Sequence, residues 1–184
     1  MMYYSEHLKK PIFRTIPIVS DELRYPTYVV GGWVRDLLLK RQQDATDIDF
    51  VCIGSGIELA NKVALELGKN ATFKVFKNFG TAMIKYNNEC YEFVGARKES
   101  YRSRSRKPII EDGTLDDDQK RRDFTINAIY LDINGKIFDP QMGSIDLKNN
   151  NVKFIGDPQK RIEEDYLRII RFIRFKIMYN SKVE

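Results

Sequence analysis

The chain is 184 residues long, with 31 Lys and Arg against 26 Asp and Glu, which allows one well-buried domain and little more, and a mild positive charge that suits a polyanionic partner. A single histidine, His7, excludes His-dependent triads; two distant cysteines, Cys52 and Cys90, exclude a disulfide framework and read as buried thiols of a reducing cytoplasm. No apolar run reaches the roughly 18 residues that span a bilayer, and the N-terminus lacks a signal-peptide core, so a soluble cytoplasmic protein with no membrane partner is expected.

Residues 1–24 place Leu8, Ile12, Phe13, Ile16, Val19 and Leu23 at near-helical spacing interrupted by Pro11 and Pro17, which predicts one or two short helices packed on a sheet. The stretch 28–51, YVVGGWVRDLLLKRQQDATDIDFV, then predicts a strand, a turn, a short helix and a second strand. Gly31 and Gly32 at the turn let backbone amides approach a ligand with no Cβ in the way. Arg35 falls in the first helical turn, where it can reach the same anion. Strict alternation over 46–51 puts Ile48 and Phe50 on one face and Asp47 and Asp49 on the other. Two carboxylates about 7 Å apart along a strand repel each other unless a cation sits between them, so both are candidate Mg²⁺ ligands.

Ser55 suits a helix cap for the apolar face Ile57, Ala60, Val63, Ala64 and Leu67, which Gly68 ends. Strand-like runs follow at 73–76, 81–86 and 90–94, the last two joined by Asn87 and Asn88 as a hairpin beside the aspartate strand. Within the third run Glu92 shares a face with Cys90 and Val94 and is a candidate third carboxylate, an exposed strand glutamate being the plain alternative. Residues 97–119 carry Arg97, Arg102, Arg104, Arg106, Lys107 and the acidic run 116–118, which predicts a mobile loop.

In 121–128, RRDFTINA, arginines followed by Asp and Asn gather anion contacts and hydroxyl-directed hydrogen bonds; the structural alternative is that Asp123 caps a helix or pairs with an arginine. A short hairpin is expected over 129–138 around Asn134 and Gly135, and from Arg161 a single helix running towards the C-terminus. Its stripe Ile162, Tyr166, Ile169, Ile170, Ile173 and Ile177 is expected to face the domain, leaving Leu167, Phe172 and Phe175 uncovered. Asp165, Arg168, Arg171 and Arg174 wind away from that stripe, where pairs such as Glu164 with Arg168 would make an ordinary solvated face.

In this order the motifs resemble the nucleotidyltransferase superfamily that includes polymerase β, and more narrowly the class II tRNA nucleotidyltransferases and bacterial poly(A) polymerases. The resemblance runs from Tyr28 through GARKESY at 95–101, which is similar to the family's flexible-loop motif, to RRDFTINA and the EDxxR motif at 164–168. It implies a mixed α/β (α+β) head, a small curved mixed sheet flanked by helices, over residues 1–155, with 156–184 opening a helical neck. It also implies attack of a tRNA 3′-hydroxyl on the α-phosphate of CTP or ATP, with Asp47, Asp49 and Glu92 catalytic and Asp47 and Asp49 holding Mg²⁺. Gly31, Gly32, Arg35 and Arg122 would bind the nucleotide, Asp123 and Asn127 its sugar, and Asp165 and Arg168 its base edge, with Arg171 and Arg174 beside them. An acid accepts from the exocyclic amine that cytosine and adenine share, while an arginine donates to ring acceptors. A poly(A) polymerase shares these motifs; a non-catalytic RNA-binding module is the alternative of another class. The uncovered aromatics predict an N-terminal fragment, or one completed by another chain, that self-associates through its last helix.

Overall fold

The computed structural model describes residues 4–41, 47–101 and 108–179. In chain order its elements are α1 (Pro11–Leu23), β1 (Thr27–Val30), α2 (Gly32–Leu38), β2 (Asp47–Cys52), α3 (Gly56–Leu67), β3 (Thr72–Phe76), β4 (Thr81–Tyr86), β5 (Glu89–Gly95), β6 (Arg97–Tyr101), β7 (Pro108–Asp112), α4 (Leu115–Arg121), β8 (Tyr130–Asp132), β9 (Ile137–Phe138), α5 (Gly143–Lys148), α6 (Pro158–Glu164) and α7 (Leu167–Tyr179). They form the expected mixed α/β fold as two compact units, one of Met1–Ala96 with Tyr130–Phe138, the other of Arg97–Ile129 with Asp139–Glu184.

The first unit is a seven-stranded sheet in the order β3-β4-β5-β2-β1-β8-β9. Only the β2–β5 pairing is parallel. Alternation within β2 buries Ile48 and Phe50, and Phe50 stacks on Phe93 with ring centroids 4.9 Å apart. α1 is one helix with Pro11 in its first turn and Pro17 inside. An internal proline costs ~3 kcal/mol, whereas burying Ile12, Phe13, Ile16 and Val19 returns ~1.5–3 kcal/mol each, so the helix runs through. Ser55 caps α3 by accepting from the Glu58 amide at 3.2 Å. A Cβ on Gly56 would lie 2.6 Å from the Val94 carbonyl carbon, which is how closely the start of α3 approaches β5.

Two thiols part company here: Cys52 is buried, while Cys90, expected to be buried, is only half-buried because its side chain lies on the more open sheet face. Burial pushes the Cys52 thiol up to about 12 from 9.0 and, with the neighbouring Glu89 carboxylate, raises the Tyr91 phenol as well. Both groups hold their protons more tightly folded than unfolded. The stability they contribute is therefore intact below the unfolded thiol value of 9.0 and is lost as pH rises through the folded value near 12. Denaturation midpoints should fall steadily between about pH 9 and about pH 12, and a flat profile would contradict this burial.

The second unit corrects two expectations. Residues 97–101 and 108–119 are not one loop: β6 and β7 pair antiparallel, and α4 starts at a capping box in which Thr114 and Asp117 satisfy each other's amides. Of the charges that suggested a solvated loop, Arg97 is paired, Glu99 lying 2.8 Å from it and 3.5 Å from Arg121. Arg102, Arg104, Arg106 and Lys107 lie outside the described residues, as does Thr46.

Nor is the C-terminal segment one helix. α6 stops at Glu164, Asp165 is extended (φ −153°, ψ 105°), and its carboxylate accepts from the Leu167 amide at 3.2 Å as α7 begins. The face of α7 is reversed too. Phe175 is buried edge-on against Phe124, and Phe172 stacks on Phe154 at 5.6 Å. The isoleucine stripe is turned outward, with Ile170 64% and Ile177 76% exposed. Aromatic partners fill more volume per contact than branched aliphatics, and Phe124, itself fully buried, supplies them.

Candidate active site

In the first unit the site begins where β1 runs out. Gly31 takes φ +81°, and a Cβ there would sit 3.1 Å from Asp49 Oδ2. The turn is thus pressed against the aspartate strand, and both the backbone angle and the space call for glycine. A Cβ on Gly32 would lie 3.5 Å from Arg35 Nη2, so the guanidinium lies over the same turn. Arg35 is 8% exposed and is oriented by Asp36, its Nε and Nη2 donating to the two carboxylate oxygens at 3.0 and 3.1 Å.

Asp47 and Asp49 are exposed on one face of β2, and the parallel pairing with β5 puts Cys90 beside Asp47 and Glu92 beside Asp49. Glu92 is exposed as well. The structure therefore brings Gly31, Gly32, Arg35 and Asp49 together, with Asp47 and Glu92 on the same face. No three His, Cys, Asp or Glu side chains among the described residues are gathered tightly enough to hold an ion by themselves. That geometry still fits magnesium: an all-oxygen pair of carboxylates is the usual protein share of a Mg²⁺ shell that substrate phosphates and water complete.

In the second unit, RRDFTINA is organised by a residue that sequence reasoning passed over. Asp118 is completely buried, with Oδ1 2.5 Å from Arg121 Nη2 and Oδ2 accepting from Arg122 Nε at 2.9 Å. Burial draws the Arg121 guanidinium below the ordinary arginine value, and the Asp118 carboxylate opposes that shift. Its spacing of three and four from the two arginines was the available signal.

Asp123 Oδ1 accepts from the Phe124 amide at 2.8 Å and from Asn127 Nδ2 at 3.2 Å. Its Oδ2 lies 2.6 Å from Arg171 Nε, a charge contact rather than an aligned hydrogen bond. So Asp123, Asn127 and Arg171 form one cluster. Arg161, also overlooked, donates through Nη2 to the Arg122 carbonyl at 2.8 Å and pairs through Nη1 with Glu164 at 2.6 Å. Its carbonyl partners lie some forty positions back in the chain. Local pattern could not expose it. Arg168 joins the same Glu164 at 2.8 Å and is 6% exposed, so this pair is buried rather than on a solvated helix face. Asp165 is half-buried at the helix break, and Arg174 is exposed.

The sequence profile of the poly A polymerase head domain matches residues 27–153. The CCA-adding enzyme of Lactobacillus helveticus is 36% identical over 176 residues, covering 95% of this chain and 41% of that enzyme. The A-adding tRNA nucleotidyltransferase of Aquifex aeolicus is 39% identical over 160 residues, 85% of this chain and 19% of that protein. Among solved structures, a CCA-adding enzyme in an apo form superposes with a TM-score of 0.83 at 32% identity, covering 94% of this chain and 41% of that one. A tRNA nucleotidyltransferase complexed with a primer tRNA and an incoming ATP analog gives 0.76 at 33% identity, covering 92% and 46%. The chain spans about two fifths of the length of the CCA-adding relatives it matches.

Proposed function

This chain belongs to the family of the poly A polymerase head domain, and on that premise we propose that it is the catalytic head of a tRNA nucleotidyltransferase, adding C, A or both from CTP and ATP to a tRNA 3′ end. The observation that carries this reading is the exposed row Asp47, Asp49 and Glu92 lying against a glycine turn that abuts Asp49 Oδ2. Gly31, Gly32 and Arg35 receive the triphosphate, Arg35 already oriented by Asp36. A divalent cation, Mg²⁺ by its oxygen donors, would be held by Asp47 and Asp49 and would supply positive charge to the attacking and leaving oxygens.

In the second unit Arg122 meets the nucleotide, Asp123 and Asn127 its sugar, and Asp165 and Arg168 the Watson–Crick edge of its base, with Arg171 and Arg174 beside them. Arg168 is held by Glu164 and by the Arg161 carbonyl, which it reaches at 2.6 Å. Such fixation suits a group that reads shape rather than one that follows it. We assign residues 1–155 to the head and 156–184 to the start of a neck. The outward isoleucine face of α7 supports self-association, and the setting is cytoplasmic.

Asp165→Ala and Arg168→Ala should each let UTP and GTP compete about tenfold better against CTP and ATP, the scale of one lost hydrogen-bond discrimination. Competition assays check this, with unfolding recorded alongside because Arg168 also neutralises Glu164. The decisive experiment supplies each nucleoside triphosphate separately to tRNA lacking its 3′ end. Incorporation of CTP, or of CTP and ATP, with UTP and GTP refused supports the reading. Long runs from ATP alone indicate a poly(A) polymerase, and RNA binding without incorporation a non-catalytic module.

A further inference from the structure

We propose that the open sheet face beyond the carboxylates, on β4 and β3, is a track for the single-stranded 3′ end of an RNA, with Lys85 and Lys74 on its phosphates and Phe76 under a base. The proposal rests on the reading that Asp47, Asp49 and Glu92 mark the reacting end.

Register carries the argument. Across the sheet, Asp47 is beside Cys90, Cys90 beside Lys85, and Lys85 beside Thr72; one row on, Asp49 leads through Glu92 and Met83 to Lys74. Cross-strand partners share a face, so both lysines stand on the carboxylate side. β4 lies about 10 Å and β3 about 14 Å from the aspartate strand, at the usual strand spacing. On the opposite face Ile84 of β4 and Tyr91 and Phe93 of β5 are each no more than 1% exposed, and Phe73 and Val75 of β3 are half-buried. Lys74, Lys85 and Thr72 are exposed, and Phe76 is 41% exposed at the sheet edge on the same side.

Charge separates the two ends of this face. Three carboxylates at β2 and β5 repel a phosphate backbone; two ammonium groups, two and three strands away, attract it. Among the described residues neither Lys74 nor Lys85 has a carboxylate partner, in contrast to Lys10, Lys62 and Lys120. A strand of RNA laid on the lysines thus has its free end directed at the carboxylates. An exposed aromatic beside a cationic track is the arrangement that binds single strands without reading sequence. A lysine on an edge strand also guards against pairing with another chain, and the test separates the two roles.

The experiment titrates the full chain with a fluorescent single-stranded RNA and, separately, with a blunt RNA duplex, over a range of salt. Lys74→Glu and Lys85→Glu should each weaken single-strand binding about tenfold and reduce the slope of log affinity against log salt by about one. Phe76→Ala should weaken it about tenfold with the salt slope unchanged, as loss of one stacked base requires. Lys62→Glu, the same charge change on α3 behind the sheet, should leave it as it was. Unchanged RNA affinity in both strand-lysine variants would overturn the proposal and leave Lys74 as an edge guard and Lys85 as a solvated surface lysine. Equal loss of duplex binding in Phe76→Ala would overturn the single-strand assignment. CTP and ATP binding without RNA is measured in parallel, so a failed nucleotide site is told apart from a failed track.

Discussion

Asp49→Ala, and equally Asp47→Ala, is expected to lower nucleotide incorporation by about a thousandfold or more, roughly 4 kcal/mol of lost transition-state stabilisation, on the scale of removing a ligand from a charge-stabilising centre. Folding should not suffer. Both side chains are exposed, and neither contributes to the core that Ile48 and Phe50 build from the opposite face of β2. Removing one of two like charges also relieves repulsion, so the melting temperature should stay level or rise slightly. Incorporation assays paired with thermal denaturation check both halves. Retained turnover in both variants with Mg²⁺ as the only divalent ion would remove β2 from the chemistry.

Asp118→Ala should do the reverse, damaging the fold before the chemistry. It strips the shared counter-charge from Arg121 and Arg122, whose side chains are 15% and 16% exposed around a carboxylate that is fully buried. Removing one partner of a buried ion pair costs ~3–5 kcal/mol; the slight access of water to both guanidiniums places the expected loss nearer ~3 kcal/mol. Asp118→Asn should cost less, because the amide oxygen still accepts one hydrogen bond. Urea denaturation followed by circular dichroism measures this, and a loss below about 1 kcal/mol would mean that the arginines find other acceptors.

These three aspartates also show what a sequence reveals. Asp47 and Asp49 were legible because strand alternation is local: six residues suffice to say that two carboxylates share a face and two apolar side chains share the other. Ser55 and the glycine turn were legible for the same reason. Asp118 was not singled out, since all three aspartates of the run 116–118 have a basic residue three or four positions on, and spacing alone does not say which of them is buried. The hairpin of β6 and β7 was hidden likewise, Arg97 being neutralised by Glu99, which also lies against Arg121, rather than by solvent. In α7 the sequence offered two apolar faces. The choice between them was made by Phe124 and Phe154, up to about fifty positions upstream, and no periodicity within the helix contains that information. Arg161, bound to carbonyls of the RRDFTINA segment, escaped for the same reason.

The chain visits its two units in alternation: β8 and β9 return to the first sheet only after Arg97–Ile129 has built much of the second unit. During synthesis β1 therefore gains its partner on one side from β2, while the other side waits until Tyr130–Asp132 has emerged. For that interval Tyr28, Val29 and Val30 offer unpaired amides and carbonyls to any extended segment nearby. A polypeptide cut after Ala96 would remain at that stage, and aggregation rather than a smaller soluble enzyme is its expected fate. Gene fusions or split designs of this head should keep residues 1–138 on one polypeptide, whatever follows.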